Sequence, residues 1–169
     1  MLTINVIEKE INVGIADYKI TSAPGKLITY GLGSCVGVAL YDPIIKLGGL
    51  LHIMLPDSTQ FNKDKVTNQA KFADLGLPLI VREMKMQGAK TLRIQAKLVG
   101  GAQMFSGFDE KLLLNIGKRN AIMTKKVLDA MGIRVLAEEL GGNRGRTMVL
   151  DTLSGQVTIK TLGKEQKVV

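Results

Sequence analysis

The sequence has no tryptophan, a single cysteine and a single histidine, and each scarcity removes a class of function. One cysteine cannot close an internal disulfide, and a free thiol suits a reducing compartment, so the chain is expected in the cytoplasm. One cysteine and one histidine fall short of the roughly four soft ligands that a structural zinc needs, so no metal site is expected. Aromatic residues make up 4% of the chain, which leaves few platforms on which nucleic-acid bases could stack. No apolar run approaches the ~18 residues of a membrane span, so no membrane insertion is expected. The opening MLTINVIEKEINVG has acidic residues where a secretory signal would have its apolar stretch.

What the chain has in excess is positive charge, +8 at neutral pH. That points to an acidic partner. The basic residues are spread along the sequence, so nucleic acid is not the expected partner, and a solvated surface with a basic bias accounts for charge alone. No linker, repeat or low-complexity segment interrupts the 169 residues, which are long enough for one domain with its own core. The expected organisation is a single domain over 1–169, with 1–12 as an N-terminal extension.

Strands outnumber helices in the pattern. KLITYGLG reads as a strand entering a glycine-rich turn. CVGVALYD and GGLLHIMLP are apolar runs joined by turn signals, Asp-Pro and Gly-Gly. In KFADLGLPLIVREMKMQGA the apolar positions Ala73, Leu77, Ile80, Val81 and Met84 follow helical spacing, with Pro78 as a candidate kink and Gly88 as a stop. TLRIQAKLVGG alternates at Leu92, Ile94, Ala96 and Leu98, which predicts a half-buried strand. NIGKRNAIMTKKVLDAMG is a second helix closed by Gly132, IRVLAEEL a strand, and RTMVLDTLSGQVTIKTL a hairpin about Ser154-Gly155. The expected class is α/β or α+β, with mixed sheets and two long helices covering one sheet face.

Several motifs fail on inspection. GLGSCV starts like a dinucleotide fingerprint, but Val36 occupies its third glycine position and the segment feeds a strand. GGNRGR, Gly141 to Arg146, lacks the Gly-Lys-Ser/Thr of a phosphate loop and reads as a flexible turn with exposed arginines. Asp57, Asp64, Asp74 and Asp151 make no metal-ligand run.

Cys35 and His52 remain. A lone cysteine is usually a small buried hydrophobe, and a lone strand histidine a hydrogen-bonded core residue. Yet Gly31 and Gly33 allow GLGSC to form a tight turn that presents the thiol beside backbone amides, those around Gly33, Ser34 and Cys35, which could hold an oxyanion. If the two apolar runs pair as a hairpin with Asp42 opposite Leu47, His52 lies one diagonal step from Cys35 on the same face. A thiolate–imidazolium pair would then lower the thiol pKa and supply a nucleophile near neutral pH. Thr29, six residues before Cys35, shares its face on an unbroken strand, and its hydroxyl could orient the imidazole.

At these residues the sequence resembles the CheD family of chemoreceptor glutamine deamidases. The resemblance is carried by TYGLGSCVGVALYDPIIKLGGLLHIMLPD, by AKLVGGAQMF, by IGKRNAIMTKKVLDAMGI and by the closing GGNRGRTMVLDTLSGQVTIK, together about Val13 to Leu162. Tyr30 departs from it, standing where the family often has an aliphatic residue. The resemblance implies a three-layer α/β/β sandwich, similar to the catalytic domain of the cytotoxic necrotising factor toxins. It implies a protein-glutamine glutaminase acting on chemoreceptor cytoplasmic domains in chemotactic adaptation, with Cys35 as nucleophile, His52 as general base and Thr29 orienting it. No cofactor is implied. A methylesterase side activity and binding of the phosphatase CheC are. The alternative reading is a non-catalytic scaffold that binds and regulates CheC.

Overall fold

The two runs around the cysteine and the histidine are apolar on both of their faces, which only a strand covered on both sides tolerates. The computed structural model describes residues 7–104 and 115–169 and buries every residue of the strands these runs form, Val36–Asp42 and Leu47–Ile53. In chain order the strands are β1 (Lys9–Asn12), β2 (Tyr18–Ser22), β3 (Gly25–Leu32), β4 (Val36–Asp42) and β5 (Leu47–Ile53). Helix α1 (Ala73–Met86), β6 (Gln95–Gly100), helix α2 (Ile116–Ala130), β7 (Arg134–Leu140), β8 (Arg146–Asp151), β9 (Val157–Thr161) and β10 (Lys167–Val168) follow. Residues 1–6 of the expected N-terminal extension, and Phe105 of AKLVGGAQMF, lie outside the described residues.

Two five-stranded mixed sheets result. The outer sheet has the order β1-β3-β8-β9-β10 and the middle sheet β2-β5-β4-β6-β7. Each has one parallel pair, β1 with β3 and β6 with β7, and its other pairs are antiparallel. Two apolar layers hold the stack together. Val36, Val38, Leu40, Leu51 and Ile53 pack with Leu77, Ile80, Met84 and Leu128 of the helices. Ala39, Leu50 and Val99 pack with Leu27, Leu32, Met148 and Leu150 of the outer sheet. Each large side chain so buried contributes about 1.5–3 kcal/mol. The architecture is the expected α+β stack of helices, sheet and sheet.

The helical spacing in α1 is realised, with Ala73, Leu77, Ile80, Val81 and Met84 all buried, and the helix runs on through Pro78. Leu92 is where the strand reading fails. It is 96% exposed, because Thr91–Arg93 form a single helical turn that brings Arg93 onto the buried carboxylate of Asp42 at 2.8 Å. Asp42 also accepts from the amides of Ile44 and Lys90, which pins the β4–β5 turn. Lys9–Asn12, inside the expected extension, pair with β3 as β1.

The register of β4 on β5 sets Asp42 opposite Leu47 and Gly37 opposite His52, the pairing that the Cys–His hypothesis requires. At the far end of β6 the backbone is crowded. Gly101 donates its amide to the Cys35 carbonyl at 2.8 Å, and a Cβ on Gly117 would strike the backbone of Gly101 and Ala102. Gly100 has φ +119°, and a Cβ there would land on the Cys35 carbonyl. Gly100→Ala is therefore expected to cost about 2–4 kcal/mol, combining backbone strain and a clash with main-chain atoms. Gly14→Ala, where nothing lies within 4 Å, should stay within about 0.5 kcal/mol. Urea unfolding midpoints check both.

Candidate active site

A threonine in the middle of a strand is ordinarily unremarkable, since β-branching suits a pleated surface. Thr29 differs in being fully buried while its hydroxyl has two polar contacts, the Val13 carbonyl at 2.8 Å and His52 Nδ1 at 2.7 Å. A hydroxyl has one proton, and a carbonyl can only accept. The Thr29 proton therefore goes to Val13, and Thr29 accepts from an Nδ1–H. That assignment fixes the tautomer of His52 and leaves Nε2 with a bare lone pair. His52 Nε2 is buried and without a hydrogen-bond partner among the described residues, an uncommon state for a core nitrogen. Burial pushes the His52 pKa down to about 4, so the ring is neutral at physiological pH.

Thr29 and His52 belong to different sheets. The strand is not unbroken from Thr29 to Cys35, so the condition under which parity would put them on one face does not hold. The β3 register shifts between Thr29 and Leu32, and the chain crosses at Gly33–Cys35 from the outer sheet into β4 of the middle one. Thr29 meets His52 because the two sheets face each other. The histidine backbone is fixed as well, donating to Asp17 and accepting from Ala16, both at 3.0 Å.

Cys35 stands directly before β4, two residues from Gly37, which lies opposite His52. The thiol and the imidazole thus share the face between the sheets, where Cys35 packs against the inter-sheet cluster and stays partly accessible. Burial pushes the thiol pKa up, against a smaller opposing effect of its own backbone N–H. The expected thiolate–imidazolium resting pair is therefore corrected. With the thiol raised and the imidazole lowered, both rest neutral.

The turn that presents the thiol is held by its carbonyls. Gly33 accepts from the Ala102 amide and Cys35 from the Gly101 amide, each at 2.8 Å. Ser34 accepts from Asn120 Nδ2 at 2.9 Å. In a trans peptide the N–H points opposite to the preceding C=O. Fixing the Gly33 and Ser34 carbonyls thus aims the Ser34 and Cys35 amides the other way, and neither has an acceptor among the described residues. The Gly33 amide is spent on the Gly31 carbonyl at 2.9 Å, so of the expected oxyanion donors Ser34 and Cys35 remain.

Asn120 was not expected from its pattern. It is fully buried on α2, and the same Nδ2 also donates to the Met54 carbonyl at 2.9 Å. One side-chain amide thereby ties the residue before Cys35 to the second residue after His52. The only sequence signal was an amide on the buried side of an amphipathic helix. Among the described residues no cluster of three metal-ligating side chains occurs, and no helix is long and apolar enough to cross a membrane.

Comparison with known proteins bears on this geometry. A family model described as CheD chemotactic sensory transduction matches residues 54–161, a stretch that begins just past His52. Relatives align over more than nine-tenths of the chain. A protein of Desulforamulus reducens named "Probable chemoreceptor glutamine deamidase CheD" is 66% identical over 95% of both chains. One of Clostridium acetobutylicum with the same name is 52% identical over 92% of both. Among solved structures, the Bacillus licheniformis hypothetical protein YfiH gives a TM-score of 0.44 at 17% identity, covering 70% of this chain and 49% of that one.

The depressed His52 pKa has a consequence for stability. In the unfolded chain histidine titrates near 6.5, and in the fold near 4. Between those values the unfolded state binds the extra proton, so stability is fully present above about pH 6.5 and falls as pH drops toward 4. The loss amounts to at most about 3 kcal/mol. Urea midpoints measured from pH 7.5 to 4 should show this slope in the wild type and lack it in His52→Gln.

Proposed function

The chain belongs to the CheD family, and from that premise we propose that it deamidates glutamine side chains of chemoreceptors, with Cys35 as nucleophile and His52 as base. The observation that supports this reading best is the bare, buried Nε2 of His52, held in its tautomer by Thr29. A structural histidine gains nothing from an unsatisfied nitrogen. A general base needs one.

The chemistry follows from the protonation states. The Cys35 sulfur attacks the glutamine carboxamide carbon while its proton passes to His52 Nε2, which removes the need for a preformed thiolate. The carbonyl oxygen becomes an oxyanion, held by the amides of Ser34 and Cys35. The imidazolium keeps its Nδ1–H on Thr29 and gives the Nε2 proton to the leaving nitrogen, which departs as ammonia. Water then loses a proton to Nε2 and attacks the thioester. The sulfur leaves, regains its proton, and glutamate remains. A methyl ester offers the same acyl carbon, so an esterase side activity belongs to the same reading.

Asn120 acts in this scheme as a positioning residue, because it aims the Cys35 N–H through the Ser34 carbonyl. The basic charge draws the enzyme to acidic receptor helices in the cytoplasm, and CheC competes for the face that presents Cys35.

Intact-mass analysis of a receptor cytoplasmic fragment tests the reading, since each converted glutamine adds about one dalton. Cys35→Ala is expected to abolish conversion, and His52→Gln to slow it by about 10²–10⁴-fold. Thr29→Val, which loses one hydrogen bond to the ring, should cost about tenfold. Asn120→Ala should lower kcat more than it raises KM. Near wild-type conversion by Cys35→Ala would sink the nucleophile assignment.

A further inference from the structure

Arg146 closes the segment GGNRGR, whose arginines the sequence pattern leaves exposed. Arg144 is exposed, but Arg146 is only 8% accessible. It opens β8 opposite Leu32 of β3 and two residues before Met148, both of which are fully buried. Opposed and alternate strand residues share a face, so Arg146 points into the gap between the sheets. There its Nη1 donates to the carbonyl of Gly100, on β6 of the middle sheet, at 3.2 Å. Among the described residues no carboxylate lies within 4.0 Å of it. Glu139, whose ionised form Arg146 favours, is bound by Lys167 instead. A cation held there without a paired anion is costly, and the bond it makes is to main chain.

The Gly100 carbonyl belongs to the peptide that holds the thiol turn. It also accepts from the Gly141 amide at 2.9 Å, while the Gly101 N–H of the same peptide donates to the Cys35 carbonyl at 2.8 Å. A trans peptide points its C=O and the following N–H in opposite directions, so fixing one aims the other. The next two residues continue the arrangement. The Ala102 amide holds the Gly33 carbonyl and the Gln103 amide holds the Gly142 carbonyl, each at 2.8 Å. Residues 100–103 thus lie between two turns, Gly33–Cys35 on one side and Gly141–Gly142 on the other. Arg146 rests against the second turn as well, since a Cβ on Gly142 would come within 3.3 Å of its Nη2.

We propose that GGNRGR is the outer support of the thiol turn and that Arg146 is its positioning residue, acting on Cys35 through the Gly100–Gly101 peptide. An arginine suits this task. Its stem crosses from one sheet to the other, and its charge strengthens a bond to a carbonyl where little water competes. Arg146 acts by keeping the Cys35 backbone in place while the sulfur attacks. A displacement on the order of 1 Å costs about a hundredfold in rate. The catalytic consequence rests on the deamidase reading, whereas the hold on the turn does not.

The test therefore has two arms. Arg146→Met keeps a long side chain without donor or charge, and Arg146→Lys keeps both. In Arg146→Met, kcat for receptor-fragment deamidation should fall about ten- to a hundredfold, with KM within about twofold. Iodoacetamide should at the same time label Cys35 several-fold faster, because a loosened turn opens more often. Arg146→Lys should recover much of both. Val81→Ala, buried against the helices in the other apolar layer, controls for destabilisation, and at a matched urea midpoint it should change neither readout. Wild-type kcat or wild-type labelling in folded Arg146→Met would overturn the proposal. So would equal changes in Val81→Ala, or no recovery in Arg146→Lys. Should Arg146→Met fail to fold, Arg146→Gln, which shortens the reach, replaces it under the same outcomes. Absence of any mass change with wild-type enzyme would overturn the deamidase reading, and the labelling arm alone would then decide the support of the turn.

Discussion

The hydrogen bond between Thr29 Oγ1 and His52 Nδ1, 2.7 Å long, joins the two sheets through the only histidine of the chain. Its direction is set by a third group, the Val13 carbonyl, which takes the only proton Thr29 can offer. With that proton committed, the imidazole has one available tautomer and one open nitrogen. The register of β4 on β5, the glycine opposite His52 and the carbonyl clamps on the Gly33–Cys35 turn then put Cys35 and His52 on the same face, between the sheets. Breaking the contact would leave a buried hydroxyl or ring nitrogen unsatisfied, which costs more than an ordinary hydrogen bond contributes.

Burial determines the protonation logic. A desolvated pair of neutral groups avoids the cost of two buried charges, so the resting site holds a thiol and a neutral imidazole. In the proposed mechanism charge develops only as the sulfur attacks, where fixed donors can meet it without reorganisation. This separates the proposed mechanism from one that stores a thiolate, and it spares the single cysteine from adventitious oxidation, which follows thiolate character.

Much of this was legible in the chain. The two-faced apolar runs implied a covered middle sheet, helical spacing located α1 and α2, and parity of the hairpin register connected Cys35 with His52. What was not legible came from contacts between segments far apart in sequence. Leu92 alternates correctly yet lies outside its strand, because Arg93 is drawn to Asp42. Thr29 was linked to His52 by strand parity, whereas the contact arises across the gap between sheets. Asn120 and Arg146 carry no local signal: the carbonyls that each one reaches, Ser34 and Met54 for Asn120 and Gly100 for Arg146, are brought to them by the fold, which is why Arg146 is buried and not exposed. The thiol's raised pKa likewise depends on burial, which a motif cannot state.

The account turns on the tautomer of one ring, and the chain has only one histidine, so a long-range ¹H–¹⁵N correlation spectrum reads it without assignment ambiguity. At pH 7 the wild type should show Nδ1 protonated and Nε2 bare, and Thr29→Val should lose that exclusive preference. A wild-type spectrum with the proton on Nε2, or with a charged imidazolium at neutral pH, would contradict the arrangement from which the base, the nucleophile and the proton path are derived.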